Sequence, residues 1–328
     1  MQDQAGCESY SYDYLGRATK TTRVTDGKKF EETYSYDLLD RLTQTVYPDG
    51  GKIAYDYKGD ALEGGPLLQR VSSAPTGGVD YAREIVYDAR DQMKSMDVGQ
   101  PAGGSPVLRM THTYDPDTFR LTQTQALPVA TAGPKYFDRS YMYWRPTGDV
   151  MDIVDNRPNT SNNRHFEYDK LSRLTKANGP YGAGGAQIDL SYDYDPTGNL
   201  RFMDKSTSPP ALGRELVYDS SSPQPHAVNE IREGATSTFL TYDPNGNPLT
   251  KGSQSFTWDA ENRLTSLTGL PNNGTQSNLY DFSGNRVKKT VTDSSGTRIV
   301  LYVGGDFEWE ATASASTRHV FAGGMRVA

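Results

Sequence analysis

The sequence predicts an all-β chain built from antiparallel β-hairpin repeats. Three observations carry that prediction. The dipeptide Tyr-Asp recurs along the 328 residues, at Tyr12, Tyr36, Tyr55, Tyr87, Tyr114, Tyr168, Tyr194, Tyr218, Tyr242 and Tyr280, and Trp258-Asp259 takes the same place once. The residue two positions before the aromatic is mostly apolar or aromatic, as in Tyr10, Tyr34, Ile85, Phe166, Leu216 and Phe256. No stretch long enough for a stable helix has a 3.6-residue apolar period, and 32 Gly and 19 Pro are spread throughout,.

Each piece of the unit has a physical reading. A spacing of two puts the repeat aromatic and its apolar partner on one face of a strand, while polar residues such as Ser35, Glu167 and Thr241 face the other way,. Turn chemistry follows the aromatic, as in Asp195-Pro-Thr-Gly198 and Asp243-Pro-Asn-Gly246: Asp bonds amides further on, Pro presets φ and Gly accepts positive φ,. A basic or amide residue and an aliphatic one come next, and the tripeptide Arg-Leu-Thr begins at Arg41, Arg120, Arg173 and Arg263. Tyr143-Trp144 is a degenerate copy, and from Tyr143 onward the steps are 25, 26, 24, 24, 16, 22 and 22 residues. Asp26-Gly27, Asp49-Gly50, Asn178-Gly179 and Asn273-Gly274 read as tight hairpin turns between units,. The irregular stretches 58–80, 97–107, 125–135, 155–164 and 204–213 read as inter-strand loops. One continuous array over residues 1–328 is expected,. Its structural repeat positions are Tyr12 and Asp13, Tyr36 and Asp37, Tyr87 and Asp88, Tyr114 and Asp115, Tyr168 and Asp169, Tyr194, Asp195 and Gly198, Tyr218 and Asp219, Tyr242, Asp243 and Gly246, Trp258 and Asp259, and Tyr280, Asp281 and Gly284.

Composition narrows the function. A net charge of −7 argues against a nucleic-acid partner, which needs a clustered basic surface,. No apolar run is long enough to span a membrane as a helix, and no signal peptide is visible,. One cysteine, Cys7, permits no internal disulfide, and His112, His165, His226 and His319 follow no metal-ligand spacing,. The repeat aspartates read as a recurring turn bond, because acid–base catalysis needs two carboxylates in different environments. The 243–254 segment lacks the Gly and Glu positions of a calcium loop, 182–185 is not a phosphate loop, and no Gly-x-Ser-x-Gly occurs,. No catalytic, metal or cofactor-binding residue is therefore expected, and the chain reads as no enzyme.

The segments YDPTGNL, TYDPNGNPLT, FTWDAENRLTSL and YDFSGNRVKKT resemble the YD repeats of the Rhs (rearrangement-hotspot) family, which teneurins and the B and C components of toxin complexes share. TYDPDTFRLTQ, LYVGGDFEWE and HVFAGGMRV add to the likeness, which covers nearly the whole chain. The resemblance implies a spiral YD-repeat shell, an open or incomplete β-cage, secreted or at the cell surface. It implies a structural function, sequestering a toxic polypeptide for delivery. The partner would be the protein's own C-terminal toxin region or a separate toxin or shell component. An aromatic strand face suits a second function equally, a module binding carbohydrate or a cell-surface glycan. Family members continue past the FAGG-like segment into a core region ending in a cleaved DPxG motif; here the chain ends at Ala328, and the two DPxG-like segments lie inside ordinary repeats. The chain also opens within a repeat, so it reads as an array cut at both ends.

Overall fold

The computed structural model describes residues 2–3, 6–57, 67–99, 107–129, 133, 135–158, 160, 162–203 and 213–328. Parts of the predicted loops, residues 58–66, 100–106, 130–132, 134, 159, 161 and 204–212, lie outside them, and the stretch predicted as a loop over 58–80 contains the strand Leu68–Ser72. The described residues are nearly all β, in long antiparallel hairpin sheets that do not close into a barrel. Strands follow one another in chain order, and within each sheet neighbours in sequence pair antiparallel. Two short 3-10 turns, Ala183–Gly185 and Pro271–Asn273, are the helical segments among them.

The residues fall into two compact units. Unit 1 comprises Met1–Thr111, Ala126–Pro134 and Arg263–Ala328, and unit 2 comprises His112–Gln125 and Lys135–Asn262.

In unit 1 the late strands pack on the early ones. Phe30, Tyr47, Ile53, Val71 and Met96 form a buried apolar core with Leu301, Val303, Phe307 and Val320. Phe307, at the start of Phe307–Glu310, stacks on Tyr47 with ring centroids 6.1 Å apart. Polar contacts lock the same junction: the Tyr47 hydroxyl donates to Asp306 Oδ2 at 2.6 Å, Ser316 Oγ donates to Asp49 Oδ2 at 2.8 Å, and Lys288 Nζ lies 2.5 Å from Asp26 Oδ2. The Arg318 guanidinium lies against Gly51, where a Cβ would sit 1.6 Å from its Nη1 and displace it.

Unit 2 is built differently. Among its described residues Ala177 is the buried apolar side chain, alongside the polar Thr124, Asp138 and Asp155. Its strands alternate half-buried with exposed positions, as in Arg164–Tyr168 and Gln254–Trp258. A sheet with one half-covered face and one open face is the pattern of a single layer rather than of a filled sandwich.

Two predicted turns differ: Gly274 opens the strand Gly274–Tyr280 with φ −73°, so the reversal falls on Pro271–Asn273, and the Asn178-Gly179 pair forms no turn. Asn178 and Gly179 lie inside the strand Leu174–Gly179, paired with Asp189 and Ile188, and the chain reverses only over 180–187. The reason is local: Pro180 follows, and a two-residue turn needs a backbone N–H at that position,.

Candidate functional site

The repeat unit is a side-chain staple, and it starts at the Asp. In the turns after Tyr12, Tyr36 and Tyr168, Oδ1 of Asp13, Asp37 and Asp169 accepts the backbone N–H two residues on and again four residues on, at 2.8–3.0 Å. Oδ2 accepts from Nε of Arg17, Arg41 or Arg173 at 2.6–2.7 Å. Where Asn199, Asn247 or Asn285 replaces the Arg, its amide reaches the same oxygen of Asp195, Asp243 or Asp281 at 2.9–3.1 Å. Asp88, Asp115, Asp219 and Asp259 likewise accept the N–H two residues on, from Arg90, Asp117, Ser221 and Glu261. A carboxylate with several donors is favoured in its charged form. The Thr197 hydroxyl first, and then the Asn199 N–H and amide, hold Asp195 down at about 2 against the opposing effect of burial. The fourth turn residue is left-handed, at Gly198, Gly246 and Gly284 as predicted, but also at Asp40, Asp91, Ser172 and Asn262.

The Tyr links one repeat to the one before it. Its hydroxyl donates to the carbonyl of the aliphatic residue that followed the previous turn: Tyr36 to Ala18, Tyr168 to Val150, Tyr194 to Leu174, Tyr218 to Leu200, Tyr242 to Val228 and Tyr280 to Leu264, at 2.8–3.0 Å. Tyr143 reaches Leu121 at 2.7 Å, and Trp258 does the same through Nε1 to Pro248 at 2.7 Å. The Arg of each turn then lies over the next repeat's ring: Arg17 over Tyr36, Arg41 over Tyr57, Arg120 over Tyr143, Arg173 over Tyr194 and Arg263 over Tyr280, at 4.6–5.6 Å,. A register shift precedes each linking Tyr, and the bulged Thr175 bonds the opposite carbonyl of Glu167, as Thr122 bonds that of Thr113,. The Arg-Leu-Thr tripeptide is thus ring cation, carbonyl acceptor and bulge residue in succession.

Three predicted positions behave differently. Tyr57, not Tyr55, makes the link in its copy, donating to Leu42 O at 3.0 Å; Tyr55 lies two residues earlier, before the bulge. Tyr12, in the first copy, is 61% exposed and stacks on Tyr10. Tyr87 packs against the unit 1 core.

Glu32, Asp97, Asp138 and Asp155 are buried carboxylates with no periodic signal. Asp138 in unit 2 accepts from Gln123, Gln125, Lys135 and Asn156 at 2.5–3.1 Å. Glu32 in unit 1 accepts from the Tyr34 hydroxyl at 2.8 Å, while its Oε1 is buried without a partner. Burial above all, with the nearby charges of Asp306 and Glu8, pushes Glu32 up to about 7. It lines a cavity of about 310 Å³ with Arg23, Asp281, Arg286 and Tyr302. Among the described residues no group of three or more His, Cys, Asp or Glu side chains is placed to hold a metal ion. His165 Nδ1 pairs with Asp152 at 2.7 Å, and the nearby Thr147 hydroxyl is committed to Asp149.

Comparison with solved structures places this arrangement. The chain superimposes on TcdB2-TccC3 with a TM-score of 0.73 at 16% identity, over 97% of this chain and 18% of that one. On the Tc holotoxin pore of Photorhabdus luminescens the TM-score is 0.75 at 16% identity, over 97% and 17%. The chain has the YD-repeat fold. In sequence, the tRNA3(Ser)-specific nuclease WapA of Bacillus spizizenii is 31% identical over 128 residues, 38% of the YD-repeat chain and 5% of that protein. The tRNA nuclease WapA of Bacillus subtilis is 30% identical over the same span. No protein-family model matches. The YD-repeat chain thus spans under a fifth of the toxin-complex chains and about a twentieth of the WapA proteins.

Proposed function

We propose that this chain is a stretch of YD-repeat wall whose task is to hold a polypeptide, a toxic region of its own protein or of a partner, until delivery from a secreted or surface-exposed assembly. The observation that carries the reading is the construction of unit 2: strands stapled edge to edge by Tyr hydroxyls and turn carboxylates, with Ala177 as its buried apolar side chain. Such a layer spends its conserving contacts along the sheet and leaves a face to be covered by something else. The likeness to toxin-complex chains supports the same role, and one array of about a dozen units fits it. The work is steric, without a catalytic residue: the histidines are dispersed and the repeat carboxylates are each committed to their own turn. The nuclease activity in the WapA names belongs to proteins of which this chain matches about a twentieth.

Protease protection on the product of the full reading frame tests the proposal. A segment outside the wall that resists digestion until the wall is unfolded is the expected result. A segment cleaved as fast as a free loop overturns it.

A further inference from the structure

One repeat breaks the staple pattern in two places at once. In the Asp115 turn, the Thr118 hydroxyl bonds Asp115 and Arg120 at the turn's end lies over Tyr143. In the next turn, of the same length, Trp144 replaces that Asp and Asp149 replaces that Arg. The Thr147 hydroxyl now turns to Asp149 Oδ2, at 2.6 Å. Tyr168 still donates to Val150 O at 2.9 Å, so the link itself is intact. Its ring carries no cation among the described residues; Tyr218 and Tyr242, behind the neutral Asn199 and Ala227, carry none either, whereas Tyr36, Tyr57, Tyr143, Tyr194 and Tyr280 each carry an Arg. Elsewhere that position is Arg, Asn, Gln or, before Val228, Ala227; Asp149 is the carboxylate among the described turns.

The vacated position opens onto a groove of about 460 Å³ in unit 2, lined by Trp144, Asp149, Met151, Phe166 and Tyr168. Trp144 is 55% exposed, an unusual placement for an indole that no turn requires. The other lining carboxylates are engaged, Glu167 with Lys176 and Asp169 with Arg173, while Asp149 has no cationic partner. Lys170 also lines the groove, so the ligand must outcompete a flexible ammonium. A planar guanidinium does this better, because it stacks on rings and bonds a carboxylate at the same time.

We propose that this groove is a binding site for the guanidinium of an arginine side chain supplied by another polypeptide segment, seated where the other repeats place their own Arg. The site needs only that group, so it stands whether or not the chain contains a toxin.

NMR of the tryptophan indole N–H signals, of which the chain has three, tests it with acetyl-arginine methylamide as the probe and the citrulline and lysine amides beside it. The arginine amide should shift one indole signal saturably, and neutral citrulline should bind at least about fivefold more weakly. Asp149→Asn should cause a similar loss. Asp149→Arg restores the usual residue, so it should abolish probe binding and raise the melting temperature, which also excludes a merely misfolded variant. Citrulline binding as well as arginine, binding retained by Asp149→Arg, or no saturable shift overturns the proposal. A saturable shift with a neutral oligosaccharide and none with arginine overturns it too, and assigns the groove to a glycan.

Discussion

A Tyr hydroxyl that donates to a backbone carbonyl on the neighbouring repeat does two jobs: it satisfies the carbonyl and fixes the spacing of adjacent hairpins. Removing it leaves the ring in place and the carbonyl short of a donor. Tyr168→Phe and Tyr194→Phe should each cost about 1 kcal/mol, read by urea unfolding, and the double variant about the sum if the links are independent,. Ser172 has φ 58°, a conformation Gly adopts without a Cβ penalty, so Ser172→Gly should stabilise by about 1 kcal/mol in the same assay,. Glu32 sets the pH dependence. Its carboxyl titrates near 7 when folded against about 4.5 when free, so the folded state holds the proton longer. Its effect is therefore absent below pH 4.5, and stability falls as pH rises from there to about 7 and stays lowered above,. Glu32→Gln should flatten that decline, by about 3 kcal/mol at pH 8. Asp195 acts in the opposite sense, with stability lost as pH falls from about 4 toward 2,.

At the scale of the element, the turn carboxylate organises five residues. Asp37→Ala removes the acceptor for the Leu39 and Arg41 amides and frees the Arg41 head that lies over Tyr57. A loss of about 2 kcal/mol is expected by urea unfolding, with Asp37→Asn recovering part of it. Much of this was legible in the sequence, because a repeat writes the same physics many times. Alternation gave the strands, and Asp-Pro-x-Gly gave the turns. The role of Arg-Leu-Thr was not legible, since its ring and carbonyl contacts join residues about twenty positions apart. Tyr57 was hidden by Tyr55-Asp56, where two aromatics at spacing two both satisfy the strand pattern and only the bulge decides between them. Asp138 and Glu32 occur once each, and a buried carboxylate is recognised by its spatial donors, not by its neighbours in sequence.

At the scale of the whole molecule, the two units rest on different physics. Unit 1 has an apolar core in which Phe307 and Phe30 are almost fully buried, so Phe307→Ala should cost about 3–5 kcal/mol and move only the unfolding step of that unit,. Unit 2 rests on hydrogen bonds and half-covered aromatics, so it should unfold at lower denaturant than unit 1. A layer of that kind is stable enough to persist and open enough to be covered, which is the property a containing wall requires. Electron cryo-microscopy of the full reading-frame product tests this most directly. Density for a second polypeptide segment against the half-covered face of the YD-repeat strands is the result expected. A map in which that face meets only solvent, with every other segment folded apart from it, would contradict the proposed role.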